Sequence, residues 1–337
     1  MPDVVIRAAG LTKEFVVSQK GSGIRGAVKN LFVSDKKTIK AVDNVSFAIK
    51  RGEIVGYLGP NGAGKSTTIK MMCGILSPTS GQVLINGMSP KRDRKKIVMN
   101  LGVVFGQRSQ LYWDLRLGES FELLRRIYCI TPEKYNENLR ELDQIFKIND
   151  IINIPVRQLS LGQRMRADLA AAMLHSPEIL FLDEPTIGLD VDVKYSIRKF
   201  IKNINKRYQT TIILTTHDLD DVQALCERII IINEGKVVSD GSLNALVAKM
   251  ALHRCLIVDL YTDNITISHP KAEVVKIEGQ RVFLKFNRND VSASDLIGDI
   301  AKNYQIRDLS LEETNIDDII RQIYHETSAL HPQDLGN

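Results

Sequence analysis

Short apolar runs bounded by charged or turn residues set the rhythm of this chain. Glu53 to Leu58, Leu101 to Phe105, Glu178 to Asp183 and Thr211 to Thr216 each read as a strand, since runs this short and this apolar suit strands covered on both faces. Helical spacing appears between them. Thr67 to Cys73 reads as a helix, Tyr135, Leu139, Leu142 and Phe146 recur on one helical face, and Arg164 to Leu174 is an alanine-rich helix. Lys91 to Lys96 reads as the exposed face of another. Residues 18–40 carry Ile24, Ala27, Val28, Leu31 and Phe32 at amphipathic spacing among many lysines, which predicts a short helix that packs on its own domain or meets anionic headgroups. Past Gly241 the pattern changes. Cys255 to Tyr261, Ala272 to Ile277, Val282 to Phe286 and Ile306 to Leu311 alternate as strands, and Asp290 to Tyr304 and Thr314 to Tyr324 read as helices. Thr314 and Asp317 suggest a capping box for the last of these.

Composition narrows the class. At 337 residues the chain exceeds one ordinary domain, given about 150 residues per domain as a prior. The boundaries expected are 1–248, 249–328 and a disordered tail at 329–337. A net charge of +5, from 45 basic and 40 acidic side chains, is too mild to argue for nucleic acid. Cys73, Cys129, Cys226 and Cys255 lie far apart, which suggests neither a disulfide framework nor a zinc site. No stretch reaches the roughly 18 apolar residues of a membrane span, and no leader-like segment opens the chain, so a cytoplasmic protein is expected.

The strand at Glu53 runs into Gly59 Pro60 Asn61 Gly62 Ala63 Gly64 Lys65 Ser66 Thr67, a full match to the phosphate-loop pattern G-x-x-x-x-G-K-[ST]. Glycines let main-chain N–H groups curl around a polyphosphate, Lys65 brings a compact positive charge, and the Ser66 hydroxyl can hold Mg²⁺. The helix after the loop points its N-terminal N–H groups the same way. Downstream, the strand at Glu178 ends in two carboxylates. Asp183 is placed to help hold the metal, and Glu184 to take a proton from, or orient, an attacking water.

Between these segments stands Leu159 Ser160 Leu161 Gly162 Gln163, and Gly188 Leu189 Asp190 comes after the carboxylates. With Gln107 and His217 in place, the chain resembles the nucleotide-binding subunits of ATP-binding cassette (ABC) transporters over residues 4–245. The resemblance implies an α/β phosphate-loop NTPase with a mixed sheet, an antiparallel β part, a helical subdomain at 110–175 and a small C-terminal α+β domain. It implies ATP and Mg²⁺ as ligands and ATP hydrolysis as the activity. Gln107 corresponds to the glutamine that reaches Mg²⁺ and the water, with Gln110 as the alternative, and His217 to the histidine on the γ-phosphate. Ser160, Gly162 and Gln163 would close over ATP held by a second cassette, with Asp190 at that interface. Phe15 is the candidate to stack on adenine, with a plain core role as the alternative.

Leu161 departs from the family's glycine and is tolerable only if its φ stays negative. Trp113 is expected in the core, with the groove for a membrane partner as the alternative. The segment Thr67 to Gly81 is similar to the bacterial ABC-2 type drug and polysaccharide export branch. The partners implied are a second copy of the cassette and integral membrane permease subunits, with no nucleic acid, at the inner face of the cell membrane. A cassette acting on ribosomes or DNA is the other reading. It is disfavoured because the chain has neither a second cassette nor a long coiled-coil insertion.

Overall fold

Apolar runs with no polar alternation become the interior of a parallel sheet. The computed structural model describes residues 3–18, 36–106, 109–250, 253–262 and 267–313. In chain order, β1 (Val4–Ser18), β2 (Lys36–Lys50) and β3 (Ile54–Leu58) lead into α1 (Lys65–Met72). Then come β4 (Ser80–Ile85), α2 (Arg94–Val98) and β5 (Leu101–Phe105). Three helices succeed them, α3 (Leu117–Ile127), α4 (Pro132–Phe146) and α5 (Leu161–Met173). The first unit closes with β6 (Ile179–Asp183), α6 (Val191–Tyr208), β7 (Thr211–Thr215), α7 (Leu219–Leu225), β8 (Arg228–Asn233) and β9 (Lys236–Ser242).

The central sheet has the order β5-β6-β7-β3-β8-β9, and its first five strands are parallel. Ile179, Leu180, Phe181 and Leu182 of β6 have no exposed surface, as expected of a strand covered on both faces. A second, antiparallel sheet has the order β2-β1-β4 and shares a core with the first, in which Ile6, Val45, Tyr57 and Phe181 take part. Gly81 permits this sheet's tight edge. A Cβ there would lie 2.1 Å from the Gly10 carbonyl oxygen.

The helical stretch owes its ends to local chemistry. The Thr131 hydroxyl accepts from the Lys134 N–H, Pro132 opens α4, and Lys147 closes it in a left-handed conformation. Ser160 caps α5 and Gln163 returns the bond to its main chain. The phenyl rings of Phe146 and Phe200 join α4 to α6 at 4.0 Å between centroids.

The chain divides between Gly241 and Ser242, ahead of residue 248. The second unit holds α8 (Leu243–Met250), β10 (His253–Leu260), β11 (Ala272–Glu278), β12 (Arg281–Asn287), α9 (Ala293–Asn303) and β13 (Ile306–Glu313). Its antiparallel sheet, in the order β11-β12-β10-β13, shares a core with α9 through Leu256, Val282, Leu284, Phe286, Leu296 and Ile300.

Three expectations change. Lys36 to Lys40, read as part of a basic helix-bearing insertion, belong to β2 and pair with Ser18 to Glu14 of β1, so the two strands run on as a ribbon. The remainder of that insertion, the helix at Thr314 to Tyr324 and the tail lie outside the described residues. Of Lys91 to Lys96, only Arg94 to Lys96 are helical. Trp113 is 53% exposed rather than in the core, with the Arg164 guanidinium 6.0 Å from its ring.

Asn138 on α4 is buried and donates to the Leu174 carbonyl at 2.8 Å and to the Ser176 hydroxyl at 3.1 Å, fastening α4 to the end of α5. Asn138→Ala strands these acceptors and is expected to cost about 1–3 kcal/mol of unfolding free energy, readable in urea titrations.

Candidate functional site

β3 delivers the chain to the phosphate loop, whose path is set by backbone sterics. Gly62 and Gly64 have φ of 84° and 102°, a region open to glycine. A Cβ on Gly64 would lie 2.3 Å from the Ala41 carbonyl oxygen, and one on Gly59 would lie 2.4 Å from that of Ile232. Lys65 opens α1 almost wholly buried, and its Nζ donates to the carbonyls of Gly59 at 2.5 Å and Pro60 at 3.1 Å. Burial lowers its pKa, while Glu184 and Asp183 oppose that shift by favouring the cation.

The carboxylates arrive from the neighbouring strands. Phe105, Asp183 and Thr215 stand opposite one another across β5, β6 and β7. Asp183 Oδ1 accepts from the Thr215 hydroxyl at 2.5 Å, and Oδ2 from the Ser66 hydroxyl at 3.4 Å. These are hard oxygen donors set side by side next to the phosphate loop, a donor set that suits Mg²⁺. Glu184 comes next with φ of 55°, uncommon for a residue with a side chain. Gly106 lets the chains pass here, because a Cβ would meet the Glu184 carbonyl oxygen at 2.4 Å. Glu184 Oε1 and His217 Nδ1 are 3.2 Å apart, and since a carboxylate only accepts, Nδ1 carries the proton in this pair.

Together these elements wall a cleft of about 590 Å³ lined by Asn61, Gly62, Gly64, Lys65, Ser66, Thr67, Asp183 and Glu184. Lys70, Ile75 and Phe105 also line it and escaped the motif reading. Lys70 was findable, since it lies four residues after Ser66 on the same helical face.

Other candidates stand elsewhere. Gln107 lies outside the described residues. Gln110 is engaged with α5, its side chain donating to the Asp168 carbonyl at 3.2 Å. Phe15 is 40% exposed on β1, paired with Ile39 and with Lys13 Nζ 5.3 Å from its ring, and is not among the residues lining the cleft. Ser160, Gly162 and Gln163 form the first turn of α5, Asp190 precedes α6, and neither group lines the cleft. Leu161 is helical and absent from the positive-φ residues, so the missing glycine causes no backbone strain. Its side chain would come within 3.3 Å of a Cβ on Gly188.

Asp168 is a buried carboxylate beside the Gln110 candidate that no motif or spacing singles out. Buried on α5, it accepts from the Ser109 hydroxyl at 2.8 Å and the Gln110 N–H at 3.2 Å. Burial pushes its carboxyl up to about 6, against the pull of Ser109, Gln110 and Arg164.

Comparison with known proteins gives a consistent set. The family model described as ABC transporter matches residues 42–187. The ABC transporter ATP-binding protein NatA of Bacillus subtilis is 35% identical, over 64% of this chain and 87% of that protein. The methionine import ATP-binding protein MetN 1 of Oenococcus oeni is 30% identical, over 82% of this chain and 81% of that protein. Nod factor export ATP-binding protein I of Ralstonia nicotianae is also 30% identical, over 72% of this chain and 75% of that protein. Among solved structures, the ATP-binding cassette MJ0796, a dimer in a post-hydrolysis state bound to ADP and Pi, aligns with a TM-score of 0.59 and 28% identity. That alignment covers 71% of this chain and 98% of MJ0796.

Asp168 makes stability depend on pH. Its folded pKa of about 6 lies above the ordinary 3.8, so the stability it contributes is complete below 3.8 and is lost as pH rises through 6. Asp168→Asn cannot ionise. It is expected to melt higher than the parent protein at pH 8 and to lose that advantage by about pH 4, as checked by melting curves across the range.

Proposed function

The chain belongs to the family of ABC transporter ATP-binding proteins, an ATPase family, and from that premise we propose that it powers a membrane exporter through ATP-driven pairing of two copies. The observation that carries the reading is the meeting of Lys65, Ser66, Asp183 and Glu184 in one cleft, with Glu184 hydrogen-bonded to His217. In this reading the triphosphate lies along the loop, where the N–H groups before α1 and the Lys65 cation meet its β and γ groups. Ser66 and Asp183, with Gln107, would hold Mg²⁺, which when bound neutralises phosphate charge. Glu184 accepts a proton from water as the water oxygen attacks the γ-phosphorus and the bond to the ADP oxygen breaks. His217 fixes the direction of the Glu184 carboxylate through Nδ1, and its Nε2 would donate to a γ-phosphate oxygen only in the doubly protonated ring.

Ser160 and the Gly162 N–H would complete the site on a second copy. Their absence from the cleft lining of their own chain supports that arrangement, as does the dimeric state of MJ0796. The permease would be of the ABC-2 type and integral to the membrane, with this chain bound to it at the cytoplasmic face. Among the described residues no helix is long and apolar enough to cross a membrane. Support for export is the likeness of Thr67 to Gly81 to the export branch. Relatives of similar identity carry import and export in their names.

Purified protein is expected to hydrolyse ATP with Mg²⁺, and Glu184→Gln to lower kcat by about a hundredfold or more while ATP now holds a dimer in gel filtration. Unchanged turnover in that variant would remove Glu184 from the role of general base. Leu161→Gly is expected to leave kcat within about twofold of the parent, because the leucine already has helical φ and relieves no strain by leaving.

A further inference from the structure

Behind the cleft lies a carboxylate that the reaction does not touch. Asp221 on α7 has no exposed surface. Its Oδ1 accepts from Arg198 Nε at 2.5 Å, and its Oδ2 accepts from the Thr186 hydroxyl in a very short contact and from the Thr216 hydroxyl at 3.5 Å. Both threonines are nearly inaccessible to solvent. Thr186 stands two residues after Glu184, and Thr216 immediately precedes His217. We propose that Asp221 is a positioning residue for hydrolysis, setting the Glu184–His217 pair from behind through Thr186 and Thr216. The inference rests on the assignment of Glu184 and His217 to the attacking water.

Three observations carry it. A fully buried charge is costly unless it is paired and hydrogen-bonded, and here Arg198 supplies the counter-charge while the threonines take the remaining acceptor capacity. Next, successive residues of an extended chain face opposite sides, and the last residue of β7 and the one after it use both. Thr215 turns to Asp183 at the metal-binding side, and Thr216 turns to Asp221 behind it. Finally, Glu184 has a left-handed backbone, which persists only where its surroundings over-determine it. Its N–H is held by the Thr215 carbonyl at 2.9 Å, and the Thr186 bond pins the chain on its other side.

The hub is braced as well. Lys194 and Arg198 of α6 both reach Asp218, at 2.5 and 3.5 Å, and the Asp218 N–H donates to the Thr216 hydroxyl at 3.0 Å. Of these groups Arg198 also pairs with Asp221, and α6 is the helix that starts from Asp190.

The test is steady-state ATP hydrolysis by variants that remove one hydroxyl and little volume. Thr186→Val and Thr216→Val are each expected to lower kcat about tenfold or more, with the KM for ATP within about twofold of the parent. Thr186→Ser, which keeps the hydroxyl, is expected to recover turnover. Thr186→Val combined with Thr216→Val should fall short of the product of the single effects, because both act through one carboxylate. Asp221→Asn should slow turnover likewise, and the threonine variants keep the test open if it fails to fold. Parental kcat in Thr186→Val while Glu184→Gln is inactive would overturn this inference alone, as would equal impairment in Thr186→Ser. Turnover retained in Glu184→Gln would overturn the assignment beneath it too.

Discussion

Asp183 reaches the cleft because β6 cannot slide. The four residues before it are wholly buried, and the ladder sets Asp183 opposite Thr215 on one side and Phe105 on the other. A slip of one residue would exchange the faces of every side chain, turning Asp183 inward and presenting Leu182 to the cleft. Both faces of β6 are covered, so what opposes that slip is the fit of these side chains to their neighbours in a close-packed core. The position of the carboxylate proposed to hold the metal is therefore fixed chiefly by the packing of hydrocarbon. The charges of the site then assemble on a frame they did little to build, and Lys65 can be held nearly buried because two carboxylates wait beside it.

Close passage of main chain is the second requirement. Gly59, Gly64 and Gly106 each sit where an added Cβ would press on a carbonyl oxygen. At Gly106 the carbonyl is that of Glu184, so the peptide before the Gln107 segment and the peptide of the proposed base lean on each other. Shape on this scale is a backbone property, which is why it centres on residues with no side chain.

That distinction explains what was legible in residue order. The phosphate loop and the Asp183–Glu184 pair are contiguous, so their chemistry shows along the chain, and the apolar runs around them identify their strands. The helical stretch is legible through the spacing of Leu142 and Phe146, although α5 starts at Leu161, after the cap at Ser160 and three residues ahead of the expected Arg164. Asp168 and Asp221 are not. Each looks like one more polar residue on a helix, and its meaning comes from Ser109, Gln110, Thr186 and Thr216, brought near only by folding. The β1–β2 ribbon escapes because lysines and scattered apolar residues fit an amphipathic helix as readily as an exposed pair of strands, and pairing with Val16 and Val17 leaves no mark in the sequence of Thr38 and Lys37. Trp113 escapes for a related reason: aromatic residues are counted as core by habit, whereas this one lies out over Arg164.

The cap at Ser160 has a consequence for how such chains are interpreted. Its hydroxyl oxygen accepts the Gln163 N–H at 3.2 Å, and Gln163 answers by accepting the Ser160 N–H at 2.9 Å. A hydroxyl that accepts one bond still has its own proton to give, so this serine can stabilise a helix and offer a donor to an anion at once. Losing it would penalise folding, by about 0.5–2 kcal/mol for a cap of this kind, in a chain that had already abandoned nucleotide turnover. A non-hydrolysing descendant would thus have a structural reason to keep the serine, whose presence testifies to ancestry more securely than to present work.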